Sequence, residues 1–397
     1  MNILKTELNE QEFLRERHQT YLDIRHHFHK YPEIEDDTVN TATIVADFLE
    51  KLGYEVFRNI GGQGVVARLK KGQSIKAIGL RADMDALPVQ EENTFAHASQ
   101  VDGRMHACGH DGHTTMLLAA AELIKCIEFD GTVNLIFQPA EETLTGAKKM
   151  IEDGLFEKFP CDKVFALHNM PGIPVGKVVV KAGATMASSE RLHCILQGKG
   201  GHGALPNLAI DPIPALAAFI NAIQSIKSRN LSIEENAVIS ICSIHAGKAY
   251  NIIPDTVEVQ LNIRTDTDEV RQKINQRIQQ ILQGLELSFN INTTLDIQFL
   301  VPSVINTRFE TEQLRECFKP LFGNENVLSH WQKFMGSEDF AWMLNEKPGC
   351  YFFLGNGEGE YHGCSIHNPH YDFNDQIIPL GAQAWSNIVK HFLSVKS

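Results

Sequence analysis

The stretch Met105-His106-Ala107-Cys108-Gly109-His110-Asp111-Gly112-His113 decides how the rest of the chain is read. Four metal-capable side chains, His106, Cys108, His110 and His113, crowd into one glycine-punctuated turn. On an extended backbone, Cys108 and His110 alternate around Gly109 and point to the same side, toward one ion. The residues that follow, 114–125, are dominated by Met, Leu, Ala and Ile, a composition that predicts a buried helix. The cluster then sits at a helix N-terminus, where the macrodipole favours a thiolate and an anionic substrate. A lone buried cysteine or histidine is ordinarily packing, but four such groups in one polar turn point to a metal or catalytic role. His26, His27 and His29 lie in a mixed-charge segment without such a motif and read as structural or solvated.

Working outward, three segments share one grammar, a short apolar strand that ends in polar, potentially ligating residues: Ile78 to Asp85 (IGLRADMD), Val133 to Glu142 (VNLIFQPAEE) and Val164 to Asn169 (VFALHN). Functional residues of an open α/β sheet gather beyond the carboxyl ends of its strands. These ends and the 105–113 turn are therefore expected around one crevice. Cys, His and carboxylate ligands suit zinc or a similar divalent ion, and five or more of them imply two ions. On an extended backbone Glu141 and Glu142 face opposite ways, so one can ligate while its neighbour meets the water. The pair reads equally well as a solvated helix N-terminus, since 143–158 looks helical.

At 397 residues the chain exceeds one ordinary core, and two domains are expected. A net charge of -13 argues against nucleic acid or an anionic membrane as partner. No apolar run approaches spanning length, and the first residues lack the basic and apolar regions of a signal peptide, so a cytoplasmic location is expected. The eight cysteines are scattered without a CxxC pair, which fits reduced thiols. Residues 10–31 and 39–52 read as helices closed by Pro32 and Gly53, and 65–69 and 77–80 as strands. Gly62 to Ala67 superficially matches a dinucleotide fingerprint, but it leads into another strand and is rejected. From about 187 to 301 the pattern becomes strand 191–197, helix 212–228, strands 238–245 and 256–265, helix 268–285 and strand 290–299, the order of a ferredoxin-like sandwich. Beyond it come a helix over 309–322, a polar turn at Gly336-Ser337-Glu338-Asp339-Phe340 and a buried strand over 350–354. The site grammar returns at Ile366-His367-Asn368-Pro369-His370-Tyr371-Asp372-Phe373, so the first domain is built from both ends of the chain.

The motifs RADMDALP, MHACGHDGH, FQPAEE, LHN, GKGGHGALP, NIIPD, GSEDF and HNPHYDFND occur in the order found in the metal-dependent aminoacylase and carboxypeptidase-like peptidase family. From about residue 21 to the C-terminus the chain most resembles its amidohydrolase branch, which includes hippurate hydrolases, N-acyl-amino-acid deacylases and auxin-conjugate hydrolases. The resemblance implies an α/β fold of two domains. A mixed-sheet metallohydrolase domain, 1–186 and 302–397, is split by an inserted ferredoxin-like α+β lid, 187–301, expected to close over the crevice. It further implies hydrolysis of the amide of a small N-acyl or aroyl amino acid, with two divalent ions (zinc, manganese, cobalt or nickel) and a homo-oligomer through the lid. By position, the metal ligands would be Cys108, His110, Glu142, His168 and His367, with Glu141 as general base. Asp85 resembles the supporting acidic residue, and Asp83, His106 and His113 are candidates behind the ligands. His202 resembles the histidine that stabilises the oxyanion, in some relatives from a partner subunit. Asn251 and Arg264 resemble residues that hold the substrate carboxylate. The chain departs from the branch at Asn207, at Asn262 and across Ser188-Ser189-Glu190-Arg191, changes that bear on acyl-group preference. A dipeptidase or carboxypeptidase with the same centre is the alternative, and a non-catalytic sensor of amino-acid conjugates a remoter one, since a sensor has no use for Glu141.

Overall fold

The structure, a computed structural model, describes residues 9–331, 334–359 and 362–395. The chain divides into two compact units: Met1–Gly183 with Ile305–Gln332 and Asp339–Ser397, and Ala184–Val304 with Lys333–Glu338. In the first unit, α1 (Glu10–Lys30) starts at Asn9, whose side chain accepts from the Glu12 N–H. It is followed by α2 (Val39–Lys51), β1 (Glu55–Ile60), β2 (Gly64–Lys71), β3 (Ala77–Asp83), α3 (His110–Cys126), β4 (Gly131–Gln138) and β5 (Lys163–Pro171).

The second unit runs β6 (Ser188–Gln197), α4 (Pro212–Arg229), β7 (Ala237–Ala246), β8 (Thr256–Thr265), α5 (Asp268–Phe289) and β9 (Asn292–Val301). Its sheet has the order β7-β8-β6-β9 with every pairing antiparallel. Alternate residues Leu192, Cys194 and Leu196 of β6 and Val257, Val259, Leu261 and Ile263 of β8 pack with Phe219 and Ile223 of α4 and Ile274 and Ile278 of α5 into a core of its own.

The chain returns to the first unit at Ile305 and there forms the helix Arg308–Phe322, then β10 (Gly349–Gly357) and α6 (Ile378–Phe392). The main sheet has the order β1-β2-β4-β3-β5-β10, extended by the short segments Val178–Val179 and Val327–Leu328. β3 runs parallel to β4 and β5, and β5 parallel to β10, while β1 and β2 join antiparallel, so the sheet is mixed as expected. β3 and β10 are buried along their whole length, the pattern of parallel strands covered on both faces. α3 is buried from His110 to Ile124 and packs against α6, where a Cβ on Gly381 would lie 2.0 Å from Met116 Sδ. A side chain there would have to displace Met116, and α3 is seated deep in the unit with its N-terminus at the carboxyl ends of β3 and β5.

Candidate metal centre

The three strand ends and the start of α3 meet as the sequence grammar anticipates, but by a different local geometry. Cys108 and His110 are not on an extended segment. Gly109 has φ 94° and His110 is the first residue of α3. A Cβ on Gly109 would sit 2.4 Å from Asn169 Oδ1 and 2.5 Å from Tyr371 Oη, so the bend needs glycine for both its conformation and its space. Glu141 and Glu142 likewise lie in a turn after Ala140 (φ 54°), neither extended nor at the start of a long helix. The helix expected over 143–158 is two short ones, Gly146–Glu152 and Leu155–Lys158. Asp85 holds this turn: Oδ1 accepts from the Glu141 N–H and Oδ2 from the Glu142 N–H, each at 3.0 Å. Its backbone oxygen lies 2.8 Å from His110 Nδ1, leaving Nε2 to face the cluster.

Donor atoms of Cys108, His110 and His168 lie within 4.8 Å of one another, and so do those of Cys108, Glu142 and His367. The two triads share the Cys108 sulfur. His110, Glu141 and Glu142 form a further group of the same tightness. Cys108 Sγ is 3.3 Å from His168 Nε2, and His168 Nδ1 bonds the Asn169 backbone oxygen. His367, at φ 65° with its ring half-exposed, is 3.5 Å from Glu142 Oε1, and its N–H donates to Ala107 O at 2.7 Å.

The electrostatics ask for a cation here. Burial raises the Cys108 thiol well above its ordinary value, and Glu142, Glu141 and Asp83 push it further. Burial opposes charge on His110, yet Asp83, Asp85 and Glu142 raise it to about 10. Burial and then His113 hold His168 well below the usual histidine range, a neutral imidazole with a lone pair to give. Among the described residues, His110 Nε2 and Glu142 Oε1 find no hydrogen-bond partner although both are buried. Orphaned atoms of this kind, beside a thiol that ionises only against positive charge, fit divalent ions.

Behind the donors, His113 Nδ1 meets Asp83 Oδ1 at 2.6 Å and its Nε2 meets Asn169 Oδ1 at 2.7 Å, while Asn169 Nδ2 donates to Tyr371 Oη at 2.6 Å. Burial would raise Asp83, but His110, Arg81 and His113 bring it well below the usual carboxylate range. A second layer was not legible in sequence. Asp111, in the first turn of α3, bonds His29 Nδ1 at 2.8 Å and Arg25 Nη1 at 3.3 Å, and Arg25 Nε reaches Asp375 at 2.8 Å. His29 is thus a buried structural partner, as its segment suggested. His106 is buried beside it, with neither ring nitrogen hydrogen-bonded to a described residue.

The remaining candidates lie in the second unit. His202 is in the short strand Gly201–His202, paired with Ile252–Ile253, and its Nδ1 accepts from the Ala204 N–H at 3.1 Å. Asn251 is adjacent, its backbone oxygen accepting from Gly203 at 2.8 Å, and both side chains are exposed. Arg264 lies on β8, where its Nε donates to Asn262 Oδ1 at 2.9 Å.

Residues 79–391 match the family described as Peptidase family M20/M25/M40. The chain is 43% identical over 370 residues to a hippurate hydrolase of Campylobacter jejuni subsp. jejuni, covering 93% of this chain and 96% of that one. It is 35% identical over 375 residues to an N-acetylcysteine deacetylase of Bacillus subtilis, covering 94% and 96%. A crystal structure of a dinuclear metal-binding peptidase of the M20 family from Bacillus subtilis superposes with a TM-score of 0.85 at 30% identity, covering 96% of this chain and all of that one (100%). The strand-end carboxylates, the buried Cys-His turn and these matches along nearly the whole chain agree, and the chain belongs to peptidase family M20/M25/M40.

Proposed function

We propose that the chain hydrolyses the amide bond of N-acyl amino acids, acetyl or aroyl, with two divalent ions held by Cys108, His110, Glu142, His168 and His367. The observation that carries this reading is the pair of donor triads sharing Cys108, with Glu141 at their edge. The hippurate hydrolase and the N-acetylcysteine deacetylase point to the substrate class, and the dinuclear peptidase to the number of ions. Bound there, zinc, manganese, cobalt or nickel would polarise the amide carbonyl and lower the pKa of a water. Glu141 would take a proton from the attacking water as the water oxygen bonds to the carbonyl carbon, and return it to the nitrogen as the C–N bond breaks, so a carboxylic acid and an amino acid leave. Asp85 holds the Glu141 and Glu142 backbone in place throughout. His202 donates to the oxyanion, and Asn251 and Arg264 hold the substrate carboxylate, Arg264 in a bidentate contact.

A homo-oligomer through the inserted unit, 187–301, is supported by the outer edge of β7, which pairs with no other strand among the described residues, and light scattering tests it. A cytoplasmic location is supported by eight free cysteines. No helix among the described residues is long and apolar enough to cross a membrane.

The test is hydrolysis of a panel of N-acyl amino acids and dipeptides by wild type and Glu141→Gln, with chelation, metal add-back and metal analysis. Metal-restored cleavage is expected, falling roughly 10²–10⁴-fold in Glu141→Gln at unchanged metal content. Faster turnover of dipeptides would give the peptidase reading, and stoichiometric metal without cleavage would remove the hydrolase reading.

A further inference from the structure

Arg191 and Asn262 stand opposite one another across the second unit's sheet. β6 and β8 pair with Arg191 opposite Asn262 and Ser189 opposite Arg264. Residues two apart on a strand share a face, so Arg191, Asn262 and Arg264 stand on one side. Diagonal neighbours of this kind are separated by on the order of 7–8 Å, within reach of long side chains. The side they occupy is the one turned away from α4 and α5. Glu190, on the packed side, is held by Arg271 at 2.6 Å and Asn275 at 2.9 Å, a structural use that its neighbour Arg191 does not share.

This open face holds a cavity of about 420 Å³ whose lining includes Arg191, His193, Asn262, Asp296 and Gln298. Among the described residues, neither guanidinium is matched to a carboxylate. Arg264 donates to the Asn262 amide oxygen and the Ser337 hydroxyl, and no hydrogen bond or ion pair joins Arg191 to any described residue. The acids of the face lie one row or more away, Asp296 opposite His193 and Glu258 3.6 Å from the His193 ring. Burial, and then the charge of Arg191, lower Arg264 from its ordinary value. Two mutually repelling cations with the Asn262 amide between them are an arrangement that an anion stabilises.

We propose that this face is a second anion subsite that selects N-acyl conjugates of acidic amino acids, Arg264 taking the α-carboxylate and Arg191 the side-chain carboxylate. The inference rests on the N-acyl amino acid reading above. It makes Arg191 a specificity residue, reading a charge that a glycine conjugate lacks.

The test uses the whole metal-loaded chain with N-acetylglutamate and N-acetylglycine as probes. Binding is measured by calorimetry on Glu141→Gln, with and without Arg191→Gln, and hydrolysis on the same pair with Glu141 intact. The glutamate conjugate is expected to bind about tenfold or more tighter than the glycine conjugate, as a charge-assisted bidentate contact allows. In turnover the same preference should reside in KM. Arg191→Gln should remove most of that ratio, and Arg191→Lys should keep part of it. A preference that survives Arg191→Gln, no preference in the parent, or equal loss for both conjugates with a lowered Tm would each overturn the subsite. If neither conjugate is cleaved but the Arg191-dependent binding ratio is present, the hydrolase reading falls and the subsite stands. If cleavage is present without the ratio, the reverse holds.

Discussion

Asp85 makes three contacts that converge on the reacting groups, two through its carboxylate to the Glu141 and Glu142 N–H groups and one through its carbonyl oxygen to His110. Asp85→Ala is therefore expected to lower activity or metal affinity by about 10–100-fold, the usual cost of losing a group that orients ligands. Steady-state kinetics with metal analysis will check this, and wild-type values in both would remove Asp85 from the site. Asp111 does a different job. Burial would raise its carboxyl, but His29, His106 and Arg25 hold it far below the usual range. His29 is raised in turn, with Asp111 and Glu91 overcoming burial. Asp111→Asn removes one of two carboxylates from each buried cation, leaving Arg25 with Asp375 and His29 with Glu91, and should destabilise by up to about 3–5 kcal/mol in urea titrations. The depressed carboxyl contributes fully above its unfolded pKa of about 4 and is lost as pH falls through its folded value. The raised imidazole contributes fully below about 6.5 and is lost as pH rises through its folded value. The gap between wild type and Asp111→Asn should thus be widest between roughly pH 4 and 6.5.

At the scale of elements, the bend at Gly109 joins two ligands to the head of a buried helix. Gly109→Ala meets both a left-handed φ and the oxygens of Asn169 and Tyr371. A loss of about 1–3 kcal/mol in stability is expected, together with weaker metal binding, read by thermal melts and metal titration. Unchanged metal affinity would show that the turn can relax without moving Cys108 or His110. Helix α3 and the strand-end grammar were readable because a long apolar run and an abrupt polar stop are local patterns. The turn at 141–144 was not, because helix propensity over 143–158 was overridden by Asp85, some fifty-six residues earlier in the chain, capturing two backbone N–H groups.

Over the whole molecule, two separate cores account for the inserted pattern: the second unit buries its own sheet face under α4 and α5. A fragment spanning 184–304 is accordingly expected to fold alone, with a cooperative urea transition and mixed α/β circular dichroism; a non-cooperative transition would mean that its core needs the rest of the chain. Sequence by itself determined the mixed α/β character, the β-α-β-β-α-β insert, and the residue types and order from which the family could be named, since periodicity, turn chemistry and motif spacing are written along the chain. It also placed Cys108, His110, Glu141, Glu142, His168 and His367 on segments that converge. Only the tertiary structure decided which groups come together: Asp85 with the Glu141–Glu142 backbone, Asp111 with His29 and Arg25, and Arg191 opposite Asn262 in the sheet. Each of these joins residues far apart in sequence, and such pairings follow from sheet register and helix packing, in which a shift of one residue would turn every side chain to the other face.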